Sequence, residues 1–170
     1  MGNARRIRRR AKFPNATYTI AEAEWAFWMA SDVATKLPEH RQNFAPGAAR
    51  NLASIKDKIA LIKPGAEIVS GVRTLDTTGH TPGHLSIEVV AGNDAIVVVG
   101  DAIAHPTIAF AHPEWKPDSD QDPDEAIATR KALLDRLATD RSQIIGYHLP
   151  FPGIGKVARK GTAYAFVAGG

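Results

Sequence analysis

Three short runs in this 170-residue chain hold residue types suited to chemistry: Gly79-His80-Thr81-Pro82-Gly83-His84, Gly100-Asp101 and His148-Leu149-Pro150. His84, Asp101 and His148 supply two imidazoles and one carboxylate. That donor set can hold a divalent metal such as zinc. Water bound to such a metal loses a proton near neutral pH and attacks an ester, lactone or phosphoester. No Gly-x-Ser-x-Gly run is present to offer a serine nucleophile. A plainer reading stands beside this one. A single His at a strand end more often closes a hydrogen bond than binds a metal, and an Asp after a Gly often caps a turn.

The positioning elements follow from period and punctuation. Thr19 with Glu22 resembles a capping box and predicts a helix over 20–36, with Ala21, Trp25, Trp28 and Met29 on one face and Pro38 as its stop. A second helix is expected over 47–62, on Leu52, Ile55, Ile59 and Ile62, stopped by Pro64-Gly65. Strands are then expected at 67–76, 85–90 and 95–99, the last an unbroken apolar run that suits a buried central strand. Residues 105–122 read as a long loop rich in Pro and Asp. Asp122-Pro123 opens a helix to about Ala138, with Ile127, Arg130, Leu134 and Leu137 on one stripe. Short strands are expected at 143–147 and 162–167. The fold class is therefore α/β or α+β in layers, a mixed sheet flanked by helices. All three chemical runs fall where strands stop and loops begin, which is where binding groups collect in such sheets.

Composition narrows the possibilities. Apolar residues make up 44% and charged residues 23%, as in an ordinary globular domain. Cysteine is absent, which removes disulfides, thiolate metal sites and a cysteine nucleophile. No apolar run is long enough to cross a membrane. The net charge of +3 comes from one end: six of the 21 basic residues lie in 1–12, leaving 15 against 18 acidic ones. That segment is read as a solvated basic tail in preference to a nucleic-acid arm. No apolar stretch of signal-peptide length follows it, so the expected location is cytoplasmic. Residues 13–170 are read as one domain.

Taken together, several separated segments resemble the carboxyl-terminal half of the metallo-β-lactamase superfamily. The likeness is closest to its methyl parathion hydrolase and lactonase-like branch. The segments are Phe13-Pro14-Asn15-Ala16, Trp25 to Trp28, Thr78 to His84, Gly100-Asp101, His148 to Gly155 and Gly161 to Val167, in that order. The resemblance implies half of an αβ/βα sandwich, a small-molecule substrate and a hydrolytic reaction at one or two zinc ions. It implies His84 and His148 as ligands of different metals, Asp101 as the bridge between them, and His80 as a support behind them. His105, His112, Phe110 and Trp115 sit in the loop after Asp101, where the family shapes its substrate pocket. Exposed loop histidines and core aromatics are the plainer alternative there.

One departure matters. The family's His-x-His-x-Asp-His motif belongs upstream of Phe13, yet no two histidines in this sequence are separated by one residue. Two expectations follow. Activity of this chain by itself is doubtful, and a sheet face that the missing half would bury drives a homodimer or higher oligomer. The competing expectation is a non-catalytic oligomer with a structural or binding role.

Overall fold

A computed structural model describes residues 13–169; the basic segment 1–12 lies outside them. The chain divides into two compact units, the first ending at Ile62 and the second beginning at Lys63.

The first unit departs from the two-helix expectation. Thr19 and Glu22 form no capping box. Instead Tyr18–Ala21 is a strand (β1), Glu22–Met29 a short helix (α1) capped by Ala21 without a side-chain bond, and Val33–Lys36 a single tight turn. The second helix (α2) runs over Phe44–Ile55, and Ile59–Ile62 is a strand (β2) rather than its last turn. The reason is pairing. Ile59-Ala60-Leu61-Ile62 is apolar with a β-branched residue at each end, and it lies parallel to β1 with Tyr18 opposite Ile59 and Ala21 opposite Ile62. Val33, Leu37 and Ala45 form a small core with Phe27 and Trp28 against it. The Trp28 indole N–H donates to Glu24 Oε1 at 2.7 Å.

The second unit holds one mixed seven-stranded sheet. Its strands are β3 (Glu67–Val69), β4 (Val72–Asp76), β5 (Leu85–Ala91), β6 (Asp94–Val98), β7 (Gln143–Ile145), β8 (Ile154–Lys160) and β9 (Ala163–Ala168), and they lie in chain order across the sheet. The expected strand 67–76 is a hairpin, turned at Gly71 with φ +79°. No strand is expected over 154–160 from the sequence, yet β8 pairs with both neighbours. Gly155 carries that pairing, because a Cβ there would stand 2.4 Å from the Phe166 ring.

Within this sheet β6 and β7 are parallel while the other described pairs are antiparallel, so the chain must cross back over the sheet between them. The helix α4 (Pro123–Asp140) makes that crossing. It starts as expected, with the Asp122 side chain accepting the Glu125 N–H and Pro123 in the first turn. Its Leu133, Leu134 and Leu137 form the main core with Val97, Ile144 and Val157 of the sheet and Val99 just past β6.

The opposite sheet face is more open. Val89, Val98 and Val167 share it by register and are 37%, 37% and 51% exposed. β6 is thus central, as expected, but buried on one face only. No helix among the described residues is long and apolar enough to cross a membrane.

Candidate functional site

Register brings the three chemical runs to one end of the sheet. β6 and β7 run parallel with Val98 opposite Ile145. Three residues beyond each partner lie Asp101 and His148. β5 runs antiparallel to β6 with Ile87 opposite Val98, so His84, just before β5, starts at the end where β6 finishes.

Asp101 is the centre of this cluster. Its Oδ1 meets His148 Nε2 at 2.9 Å and accepts a short hydrogen bond from the Tyr147 hydroxyl. Its Oδ2 faces His80 Nε2 at 3.6 Å. Its backbone N–H donates to His84 Nε2 at 3.0 Å. That bond fixes the His84 tautomer: Nε2 accepts, so Nδ1 carries the proton and donates to the Thr77 carbonyl at 3.0 Å. Gly100 makes the approach possible. It holds φ +57°, and a Cβ there would stand 2.6 Å from His84 Nε2. Burial pushes the Asp101 carboxyl up, but the Tyr147 hydrogen bond and the adjacent His80 and His148 outweigh it and leave the group below its ordinary 3.8. Burial and then Asp101 push the Tyr147 phenol up to about 12.

His80 is itself held by a carboxylate. Its Nδ1 lies 3.1 Å from Asp120 Oδ1, and Asp120 Oδ2 pairs with Arg130 Nη2 at 2.6 Å. Arg130 is buried and also donates to the carbonyls of Ala102, Pro113 and Trp115. One guanidinium thus ties the loop after Asp101 to the loop before α4. Sequence reading placed Arg130 only as a member of the α4 stripe and passed over Asp120 and Tyr147. A cation within an otherwise apolar stripe was the available signal, since such a charge must find a buried partner.

The loop residues divide in role. His105 Nδ1 accepts the Thr107 and Ile108 N–H groups, both at 3.1 Å, and so starts the short helix α3 (Ile108–Ala111). His112 stacks on Trp115 with centroids 4.4 Å apart and bonds Glu114. Both histidines, with Trp115, Ile108 and Ala104, line a cavity of about 300 Å³ whose wall includes Arg130. Phe110 is fully buried in the core against Phe166 and does not line it.

The donor types suit zinc, but their arrangement does not. His84 spends its Nε2 lone pair on a backbone N–H, and His148 and Tyr147 share one Asp101 oxygen. Among the described residues no group of three His, Asp or Glu side chains is placed to hold a metal ion. The residues present do not, by themselves, fit a resident metal.

Comparison with known proteins bears on this architecture. The family model described as "Metallo-beta-lactamase superfamily" matches residues 1–148. The hydrolase AbOPH, of the beta lactamase superfamily, is 32% identical with a TM-score of 0.84 over 94% of this chain and 57% of its own. AidC, described as a dizinc quorum-quenching lactonase, is 29% identical with a TM-score of 0.84 over 93% of this chain and 56% of its own. A probable metal-dependent hydrolase from Staphylococcus aureus, 21% identical with a TM-score of 0.73 over 94% of this chain and 55% of its own, shares the fold. No curated protein matches in sequence. This chain thus spans less than two thirds of the length of the solved structures it resembles. With its mixed sheet, its strand-end cluster and a family match across most of its length, the chain belongs to the metallo-β-lactamase superfamily.

Proposed function

We propose that this chain carries one side of the site of a metal-dependent hydrolase acting on a small lactone, ester or phosphotriester. His84, Asp101 and His148 are the donors it contributes. The observation behind this reading is the convergence of three strand ends on Asp101, which touches both His84 and His148. The hydrolytic step needs further donors, of the kind in the absent His-x-His-x-Asp-His motif.

The chain's own residues have positioning roles. Thr77 fixes the His84 ring, and Tyr147 and His80 flank the Asp101 carboxylate. The cavity beside Trp115 and Ile108 receives the apolar part of the substrate.

The test is turnover of a lactone, an ester and a phosphotriester with zinc present. The chain is assayed alone and mixed with a segment that carries the missing motif. The expected result is hydrolysis by the mixture that disappears with Asp101→Asn. A mixture indifferent to Asp101 contradicts the reading.

A second reading has its own observation. The self-paired donors and the open apolar face at Val89, Val98 and Val167 suit a non-catalytic oligomer. Under that reading the chain sediments as a dimer or larger and no mixture hydrolyses any of the three substrates.

A further inference from the structure

The Asp101 carboxylate already has partners from its own chain. Tyr147 donates its hydroxyl to Oδ1, and His148 Nε2 meets the same oxygen at 2.9 Å. The Tyr147 ring lies 4.2 Å from the His148 ring, tilted by 40°. Two consecutive residues at the end of β7 therefore converge on one oxygen. His80 stands 3.6 Å from the other. A cation approaching Oδ1 must displace a hydroxyl bonded to a carboxylate, which is one of the stronger hydrogen bonds in a protein.

We propose that Tyr147 selects against divalent cations at this site: its phenol occupies the Asp101 oxygen that zinc would take, and its ring holds His148 on that same oxygen. The inference rests on the reading of His84, Asp101 and His148 as ligands. It accounts for a donor set with the right chemistry that is paired within itself. Losing a hydrogen bond to a charged group changes an equilibrium by about tenfold or more. Tyr147 is 69% exposed, so water replaces part of the lost bond and about tenfold is the expected size. The same exposure lets phenylalanine fit without repacking and keeps the ring beside His148.

The experiment titrates zinc into the full chain against a competing chromophoric chelator. The wild type, Tyr147→Phe, Asp101→Asn and the double variant are compared. Tyr147→Phe is expected to bind zinc about tenfold more tightly than the wild type, and the gain is expected to vanish when Asp101→Asn is present. Equal affinity of Tyr147→Phe and wild type, with Asp101→Asn weaker than both, overturns the role of Tyr147 and leaves the ligand reading standing. A gain that persists without the Asp101 carboxylate also overturns it. Zinc binding that Asp101→Asn leaves unchanged removes the ligand reading and this inference with it.

Discussion

Replacing Asp120 with asparagine separates a buried ion pair while leaving its shape nearly intact. The Asp120 and Arg130 side chains are 1% and 4% exposed and lie 2.6 Å apart. The guanidinium also donates to three loop carbonyls, so it cannot swing out to water without opening the loop after Asp101. Removing one partner of such a pair leaves a charge buried without compensation, which costs about 3–5 kcal/mol. At roughly 2–4 °C per kcal/mol for a chain of this size, the melting temperature falls by about 6–20 °C. Urea unfolding of wild type, Asp120→Asn, Arg130→Met and the double variant measures both the loss and its coupling. The double variant should be less destabilised than the sum of the singles, by about 1–3 kcal/mol. Asp124→Asn is the control. It breaks the Lys116–Asp124 pair, which is equally short but exposed, and should stay within about 0.5 kcal/mol of wild type. An Asp120→Asn loss under about 1 kcal/mol with additive singles would refute the role given to Arg130.

Three further outcomes are expected. Gly100→Ala forces a left-handed φ on alanine and drives its Cβ to 2.6 Å from His84 Nε2, whereas Gly92→Ala meets only the backbone strain, with nothing within 4 Å. Thermal melts should place the first about 2–3 kcal/mol below wild type and the second about 1 kcal/mol below. Because the folded Asp101 carboxyl lies below its ordinary 3.8, its contribution is complete above that value and is lost as pH falls through the folded one. Acid titration of stability should therefore fall less steeply for Asp101→Asn than for wild type. The Tyr147 phenol, raised to about 12 from 10.0, should ionise at lower pH in Asp101→Asn. Phenolate absorbance of that variant against wild type reads this directly, and identical curves would remove Asp101 as a cause of the shift.

What the sequence made legible was local or periodic. The start of α4 could be read from Asp122-Pro123 because a cap and its first turn lie within a few residues. β5 and β6 could be read from alternation and from an apolar run. β1 and β2 could not, because their four-residue pairing is made by chain segments far apart, and their residues fit a helical stripe equally well. β8 hid behind Pro152, Gly153 and Gly155, whose usual meaning is a turn. Here Gly155 is required because Phe166 lies over it. The placement of His84, Asp101 and His148 at strand ends was legible for the same reason as the strands. Their partners were not. Asp120 and Arg130 meet only once the loop folds over α4, and Tyr147 gains its role only from the parallel register of β6 and β7. The helix-starting bonds of His105 depend on a local turn that the Pro- and Asp-rich composition of 105–122 concealed.

The most direct measurement is zinc per chain by elemental analysis. Protein is purified without chelators or an affinity-metal column, then analysed alone and after mixing with a segment bearing the His-x-His-x-Asp-His motif. The expected result is well under one zinc per chain alone, rising in the mixture to about one or two and lost with His84→Ala, Asp101→Asn or His148→Ala. A mixture that gains no zinc, or one whose zinc is indifferent to all three substitutions, would contradict the assignment of these residues as one side of a hydrolase site.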